Sequence, residues 1–209
     1  HYSYSCKCED VQKDLPDMIV QDVPFRLTKV ETQHYHKLRR DFFTALNDSE
    51  DSEVTVDNIL VQGLRLQQVT SGFVTSDGGD DITVGTSRKD LLKDLLGEVC
   101  GDQDHAVVFY RFECELNDIA DVASEMDYRF TEINGASKSG LTNEGKMSLH
   151  NGDGDVTPTL CAVQISSGAE GIDLTAARTA VFYRTGYQYS AYAQATKRLH
   201  RPGQDSTVY

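Results

Sequence analysis

The 209-residue chain is predicted to fold as an α/β protein, with a parallel sheet flanked by helices and a mainly helical N-terminal extension before it. Two observations predict the sheet. From residue 105 onward short apolar runs alternate with helical patterns, and a run such as Ala106-Val107-Val108-Phe109 is apolar without a break, as a strand buried on both faces requires. The extension follows from a third observation, that the apolar positions of residues 1–100 recur at helical spacing.

In chain order, Thr28-Lys29-Val30-Glu31 has the residues of a capping box, and Tyr35, Leu38, Phe42 and Leu46 follow on one helical face. A second helix is predicted from about Asp57 through Leu60, Leu64 and Val69 to a stop near Gly72. Ser76-Asp77-Gly78-Gly79-Asp80-Asp81 is turn chemistry. A third helix begins near Ser87, where Leu91, Leu92, Leu95, Leu96 and Val99 form one apolar stripe for core packing. Strands are then expected over 105–110, 128–133, 160–165 and 179–183, with helices over 113–126 and 190–200. The connection over 134–159 is long and polar and contains Gly152-Asp153-Gly154-Asp155, so it should hold some helix or a mobile loop. The expected organisation is a helical region over 1–100 that precedes and flanks a lobe over 101–209, the two making one structural unit.

Composition narrows the class. With 39% hydrophobic and 25% charged residues the chain reads as a folded, water-soluble domain. No window approaches the roughly 18 apolar residues of a membrane helix, and the N-terminus lacks a secretory pattern. The expectation is therefore an intracellular protein, in cytoplasm, nucleus or nucleoid or encoded by a virus, with no membrane partner. Cys6, Cys8, Cys100, Cys114 and Cys161 are odd in number and scattered, which argues for reduced thiols. Cys6-x-Cys8 would need two further ligands to hold zinc, so no metal site is expected. The chain opens on His1 and not on Met, and is read as a piece of something longer.

The net charge of -13 runs against a phosphate-binding surface, but the charge is segregated. Between Arg40 and Arg65 stand Asp41, Asp48, Glu50, Asp51, Glu53 and Asp57 with no base, a run that reads as a solvated loop. From Arg178 to Tyr209 the bases Arg178, Arg184, Lys197, Arg198 and Arg201 face the single acid Asp205.

The basic end also carries the most informative stretch, Gln194-Ala195-Thr196-Lys197-Arg198-Leu199-His200-Arg201-Pro202-Gly203-Gln204. Arg198 and Arg201 stand three apart, so a continuous helix would project both guanidiniums from one face. Guanidinium stays charged and presents paired donors that match phosphate oxygens. On spacing alone, a solvated basic face near a helix C-terminus is the more economical reading.

Gln-x-x-x-Arg-x-His-Arg-x-Gly-Gln, here Gln194 to Gln204, resembles motif VI of the Swi/Snf family within helicase superfamily two. Gln164-Ile165-Ser166-Ser167-Gly168-Ala169-Glu170-Gly171-Ile172-Asp173-Leu174-Thr175-Ala176-Ala177 resembles motif V, at the matching distance upstream. Phe109 and its strand resemble motif IV, and Ser87-Arg88-Lys89-Asp90-Leu91 resembles the segment before it. Leu64 to Gly72 and Asp14-Leu15-Pro16 match the helical region that precedes the second lobe in that family.

The resemblance implies a RecA-like C-terminal lobe of an ATP-driven translocase on double-stranded DNA. ATP with Mg2+ would be bound mostly by an N-terminal RecA-like lobe of the same protein, with this chain inactive alone. It further implies Arg201 as the arginine finger at the γ-phosphate, Arg198 as its companion and Gln194 as an aligning residue. Gly171 and Asp173 would approach the nucleotide, while Ser166, Ser167 and Lys138 would meet DNA phosphate. Four departures bear on DNA: the family carries a basic residue or threonine near Ser166–Ser167, Glu170 is acidic here, the arginine expected after the Asn134–Lys138 loop is replaced by the neighbourhood of Lys146, and only Lys7 and Lys13 stand before Asp14-Leu15-Pro16.

Gly140-Leu141-Thr142-Asn143-Glu144-Gly145-Lys146-Met147 matches a phosphate loop up to its last position, where Met147 replaces the magnesium-binding Ser or Thr. It is read as a decoy. Alternative functions are a non-catalytic nucleic-acid or protein-binding module that keeps the fold, and an RNA-directed helicase of the same superfamily.

Overall fold

A computed structural model describes residues 15–48, 56–76, 78–101, 104–149, 157–166, 171–186 and 189–209. Its elements are α1 (Lys29–Asp48), α2 (Val56–Thr70), β1 (Phe73–Thr75), β2 (Asp81–Thr83), α3 (Ser87–Val99), β3 (Ala106–Tyr110), α4 (Glu113–Glu125), β4 (Arg129–Ile133), β5 (Thr159–Gln164), β6 (Thr179–Phe182) and α5 (Tyr189–Leu199). By internal contacts the chain divides into two units, one of residues 23–95 and one of residues 1–22 with 96–209.

In the unit of residues 23–95, the capping box at the start of α1 forms as read. The Glu31 N–H donates to Thr28 Oγ1 at 3.3 Å, and the Thr28 N–H donates to Glu31 Oε2 at 2.6 Å. The same carboxylate accepts the Ser87 hydroxyl and, at 3.3 Å, the Ser87 N–H, so one buried acid caps two helices. Two details depart from expectation. Ser76–Asp81 does not merely turn the chain but closes a hairpin, with β1 and β2 antiparallel in the register Phe73↔Thr83. Leu60, placed on an apolar stripe by spacing, is 66% exposed, while Val69 and Leu92 are buried; in the other unit Val99 is 37% exposed and Leu96 is buried.

The unit of residues 1–22 and 96–209 is built on a four-stranded parallel sheet in the order β4-β5-β3-β6. Its strands end within a residue or two of the positions predicted, although β4, Arg129-Phe130-Thr131-Glu132-Ile133, is not an unbroken apolar run as β3 is. All five residues of β3 are buried. One face carries Val107, Phe109, Ile133, Cys161 and Val163, packed with Ala195 and Leu199 of α5 and with Ile172, Leu174 and Ala177 of the loop before β6. On the other side α4 lies against β3, β4 and β5 and buries Ile119, Val122 and Ala123.

The crossover from β3 to β4 runs through α4, whereas that from β4 to β5 has no helix among the described residues. Residues 134–149 form an arch instead, held by an antiparallel bridge Leu141↔Met147 and by a hydrogen bond from the Ser148 N–H to the Gly140 carbonyl at 2.8 Å. Gly152-Asp153-Gly154-Asp155 lies outside the described residues, as do Cys6 and Cys8.

At the far edge, β6 is extended by the chain terminus. The Ala180 N–H donates to the Tyr209 carbonyl at 2.8 Å, and Val208 in turn bridges Met18 in parallel. Both pairings satisfy backbone groups that an edge strand leaves unpaired.

Candidate functional site

The site is assembled where the loop after β5 meets the end of α5. Ala195 and Leu199 bury one face of that helix, which leaves Gln194 and Lys197 exposed and Arg198 half-buried. The helix stops at Leu199, because Pro202 disfavours helical backbone at the residue before it. Arg201 therefore lies in a turn, closed by the Gln204 N–H on the Arg201 carbonyl at 3.1 Å, and not on the same helical face as Arg198.

Motifs V and VI are joined through their backbones. The Leu174 N–H donates to the Arg198 carbonyl at 3.1 Å, which satisfies one of the acceptors a helix leaves open at its C-terminus. The buried side-chain amide of Gln204 donates to the carbonyls of Thr175 and Ala177 at 3.2 and 3.1 Å and reaches that of Leu199 at 3.4 Å. His200 Nε2 lies 2.7 Å from the Pro16 carbonyl, tying Leu15-Pro16 to the same turn. Gln204 and His200 were part of the motif as read from sequence, but no role was assigned to them.

Asp173 stands at the centre. Its Oδ1 accepts the Thr175 N–H at 3.0 Å and the Thr175 hydroxyl at 2.8 Å. Partial burial pushes its carboxyl up, but these hydrogen bonds and the nearby charges of Arg201 and Lys146 outweigh that and hold it below the usual carboxylate range. Gly171 adopts φ +72 and Gly145, across from it, φ +76; among the described residues a Cβ on Gly171 would meet nothing within 4 Å.

The sequence reading also placed Ser166 and Lys138 at a nucleic-acid surface. Ser166 is exposed two residues past β5, and Lys138 is exposed five residues past β4, so both sit beyond the C-terminal ends of neighbouring parallel strands. Ser167 and Glu170 lie outside the described residues. At the same end of the sheet a buried pair went unread: Arg184 Nε donates to Glu115 Oε1 at 3.1 Å, and Glu115 Oε2 accepts the backbone N–H groups of Arg111 and Phe112 at 2.9 and 3.0 Å. Nothing in sequence spacing links residues 69 apart.

The decoy is resolved by burial. Met147 is 4% exposed and belongs to the core. Gly140 is pressed against the sheet, where a Cβ would come within 2.9 Å of Cys161 Sγ. Lys146 to Leu149 are not helical, so the N–H cradle of a phosphate loop is not formed there. Among the described residues no group of three or more His, Cys, Asp or Glu side chains gathers as a metal site, and no helix is long and apolar enough to cross a membrane.

Comparison with known proteins fits this geometry. The helicase conserved C-terminal domain pattern matches residues 87–203. An uncharacterized ATP-dependent helicase of Mycoplasma pneumoniae is 24% identical over 198 residues, covering 95% of this chain and 18% of the relative. Protein CHROMATIN REMODELING 5 of Arabidopsis thaliana is 22% identical over 213 residues, covering 96% of this chain and 12% of the relative. The chain thus spans less than a fifth of the length of these curated relatives. In structure it is similar to the Sulfolobus solfataricus SWI2/SNF2 ATPase core in complex with dsDNA, with a TM-score of 0.66 and 19% identity over 96% of this chain and 41% of that one. The parallel sheet is of the RecA-like kind found in that core.

Proposed function

The chain belongs to the helicase conserved C-terminal domain family, and from that premise we propose that it is the C-terminal motor lobe of a Swi/Snf-type, ATP-dependent translocase on double-stranded DNA. The observation that carries the proposal is the backbone seam between Leu174 and Arg198, reinforced by Gln204, which holds Arg201 beside Asp173. Two arginines at the end of α5, whose backbone is bonded to the segment that carries Asp173, suit a polyphosphate.

In this reading ATP and Mg2+ sit mostly on an N-terminal RecA-like lobe of the same protein, and closure of the two lobes brings this face to the phosphates. Arg201 neutralises charge that develops on the γ-phosphate, Arg198 supports it, and Gln194 aligns the lobes. Gly171 and Asp173 line the nucleotide side. Ser166, Ser167 and Lys138 lie toward DNA phosphate, where backbone contacts fix register without reading sequence. Residues 1–100 would precede and flank the lobe of 101–209. Such a protein works inside a cell, with no membrane partner.

The test is ATP turnover. The isolated chain should hydrolyse ATP negligibly, whereas the full-length protein should be stimulated by duplex DNA more strongly than by RNA. Turnover by the isolated chain, or no response to duplex DNA in the full-length protein, would sink the assignment; the second result would favour a binding module that keeps the fold.

A further inference from the structure

The Gly-x4-Gly-Lys stretch has no part in the mechanism above, yet backbone pairing delivers its lysine to motif V. Lys146 forms a parallel bridge with Asp173. The Asp173 N–H donates to the Gly145 carbonyl at 2.9 Å, and the Met147 N–H donates to the Asp173 carbonyl at 2.8 Å. The segment on either side is anchored. Met147 is in the core, and Arg129 donates to the Ser148 carbonyl from β4. Moving Lys146 away from Asp173 would break two backbone hydrogen bonds and expose Met147.

The side chain itself is poised rather than fixed. Its carboxylate partner is Glu144 at 3.3 Å, and the two side chains are 63% and 75% exposed. An exposed pair of this kind contributes little, so exchanging Glu144 for another anion costs little. The charges of both Arg201 and Lys146 lower the carboxyl of Asp173.

We propose that Lys146 is a further phosphate-contacting residue of the nucleotide-facing site, taking an oxygen of the nucleotide's phosphate chain alongside Arg201. The proposal rests on the motor-lobe reading given above. It also decides between the two ends of one arch. Lys138 stays near the exit of β4, on the side assigned to DNA, whereas Lys146 is carried across to Asp173 and so to the nucleotide side.

The experiment is initial-rate, duplex-DNA-stimulated ATP hydrolysis by the full-length protein, measured over ATP and DNA concentration for wild type, Lys146→Gln, Lys146→Arg and Arg201→Lys. Lys146→Gln should raise KM for ATP by roughly three- to tenfold, the loss of one exposed charge-assisted contact, with kcat little changed. Lys146→Arg should restore most of that affinity, which a merely structural role for the loop would not produce. If Arg201→Lys abolishes turnover while Lys146→Gln leaves KM within error, the phosphate site exists without Lys146 and the inference is wrong. If Lys146→Gln shifts only the DNA concentration for half-maximal stimulation, the lysine faces DNA and the inference is equally wrong. Full turnover by Arg201→Lys would overturn the motor-lobe reading itself, and Lys146 with it.

Discussion

The side-chain amide of Gln204 donates to the backbone carbonyl of Ala177 at 3.1 Å, and through it the last residue of motif VI grips the last residue of motif V. The contact is buried, so the carbonyls it serves are shielded from water.

Gln204→Leu keeps the volume but leaves the buried carbonyl of Ala177 and the part-buried carbonyl of Thr175 without this donor. A loss of about 1–3 kcal/mol in unfolding free energy is expected by urea denaturation, since an orphaned buried acceptor forfeits its hydration as well as its bond. An unchanged urea midpoint would show that the seam is held elsewhere.

Met147→Ser restores the residue a phosphate loop requires. Because Met147 is a core side chain, the substitution should destabilise by about 2–5 kcal/mol and should confer no magnesium-dependent nucleotide affinity on the chain. A stable variant that gained such affinity, measured by calorimetric titration, would mean that the arch is a working phosphate loop.

β3 was readable because a strand buried on both faces is a short apolar run, as Ala106 to Phe109 is, whereas β4 mixes Arg129, Thr131 and Glu132 with Phe130 and Ile133. The hairpin β1–β2 was not, since three-residue strands with Asp81, Ile82 and Thr83 all exposed carry no alternation. Arg198, Arg201, Gly171 and Asp173 are proposed through motif resemblance, and Asp173 lies in the field of Arg201. The turn at Arg201 was foreshadowed by Pro202, yet helical spacing was followed one residue too far. Gln204, Arg184 and Glu115 were missed for one reason: a polar residue that is buried by contacts distant in sequence looks the same in a string as one on the surface.

Glu31 ties acidity to stability. Burial raises its carboxyl, but hydrogen bonds from Ser87 and Thr28 outweigh that and hold it below its ordinary value. A depressed folded-state value means the stabilisation is present above the unfolded value of about 4.3 and is lost as pH falls through the folded one. Unfolding free energy should therefore drop on acidification from about pH 5 to about pH 3, and Glu31→Gln should cost about 1–3 kcal/mol at neutral pH with a shallower acid limb. Parallel acid limbs for the two proteins, in denaturation series across that range, would contradict the capping role.

The central claim is that the turn after α5 presents Arg201 to a nucleotide held on a partner lobe. The most direct measurement is duplex-DNA-stimulated ATP hydrolysis by full-length Arg201→Lys, with nucleotide binding measured in parallel. The account predicts a fall in kcat of about a thousandfold or more, because lysine keeps the charge but loses the paired donors, with nucleotide affinity largely retained. Wild-type turnover by Arg201→Lys would contradict it.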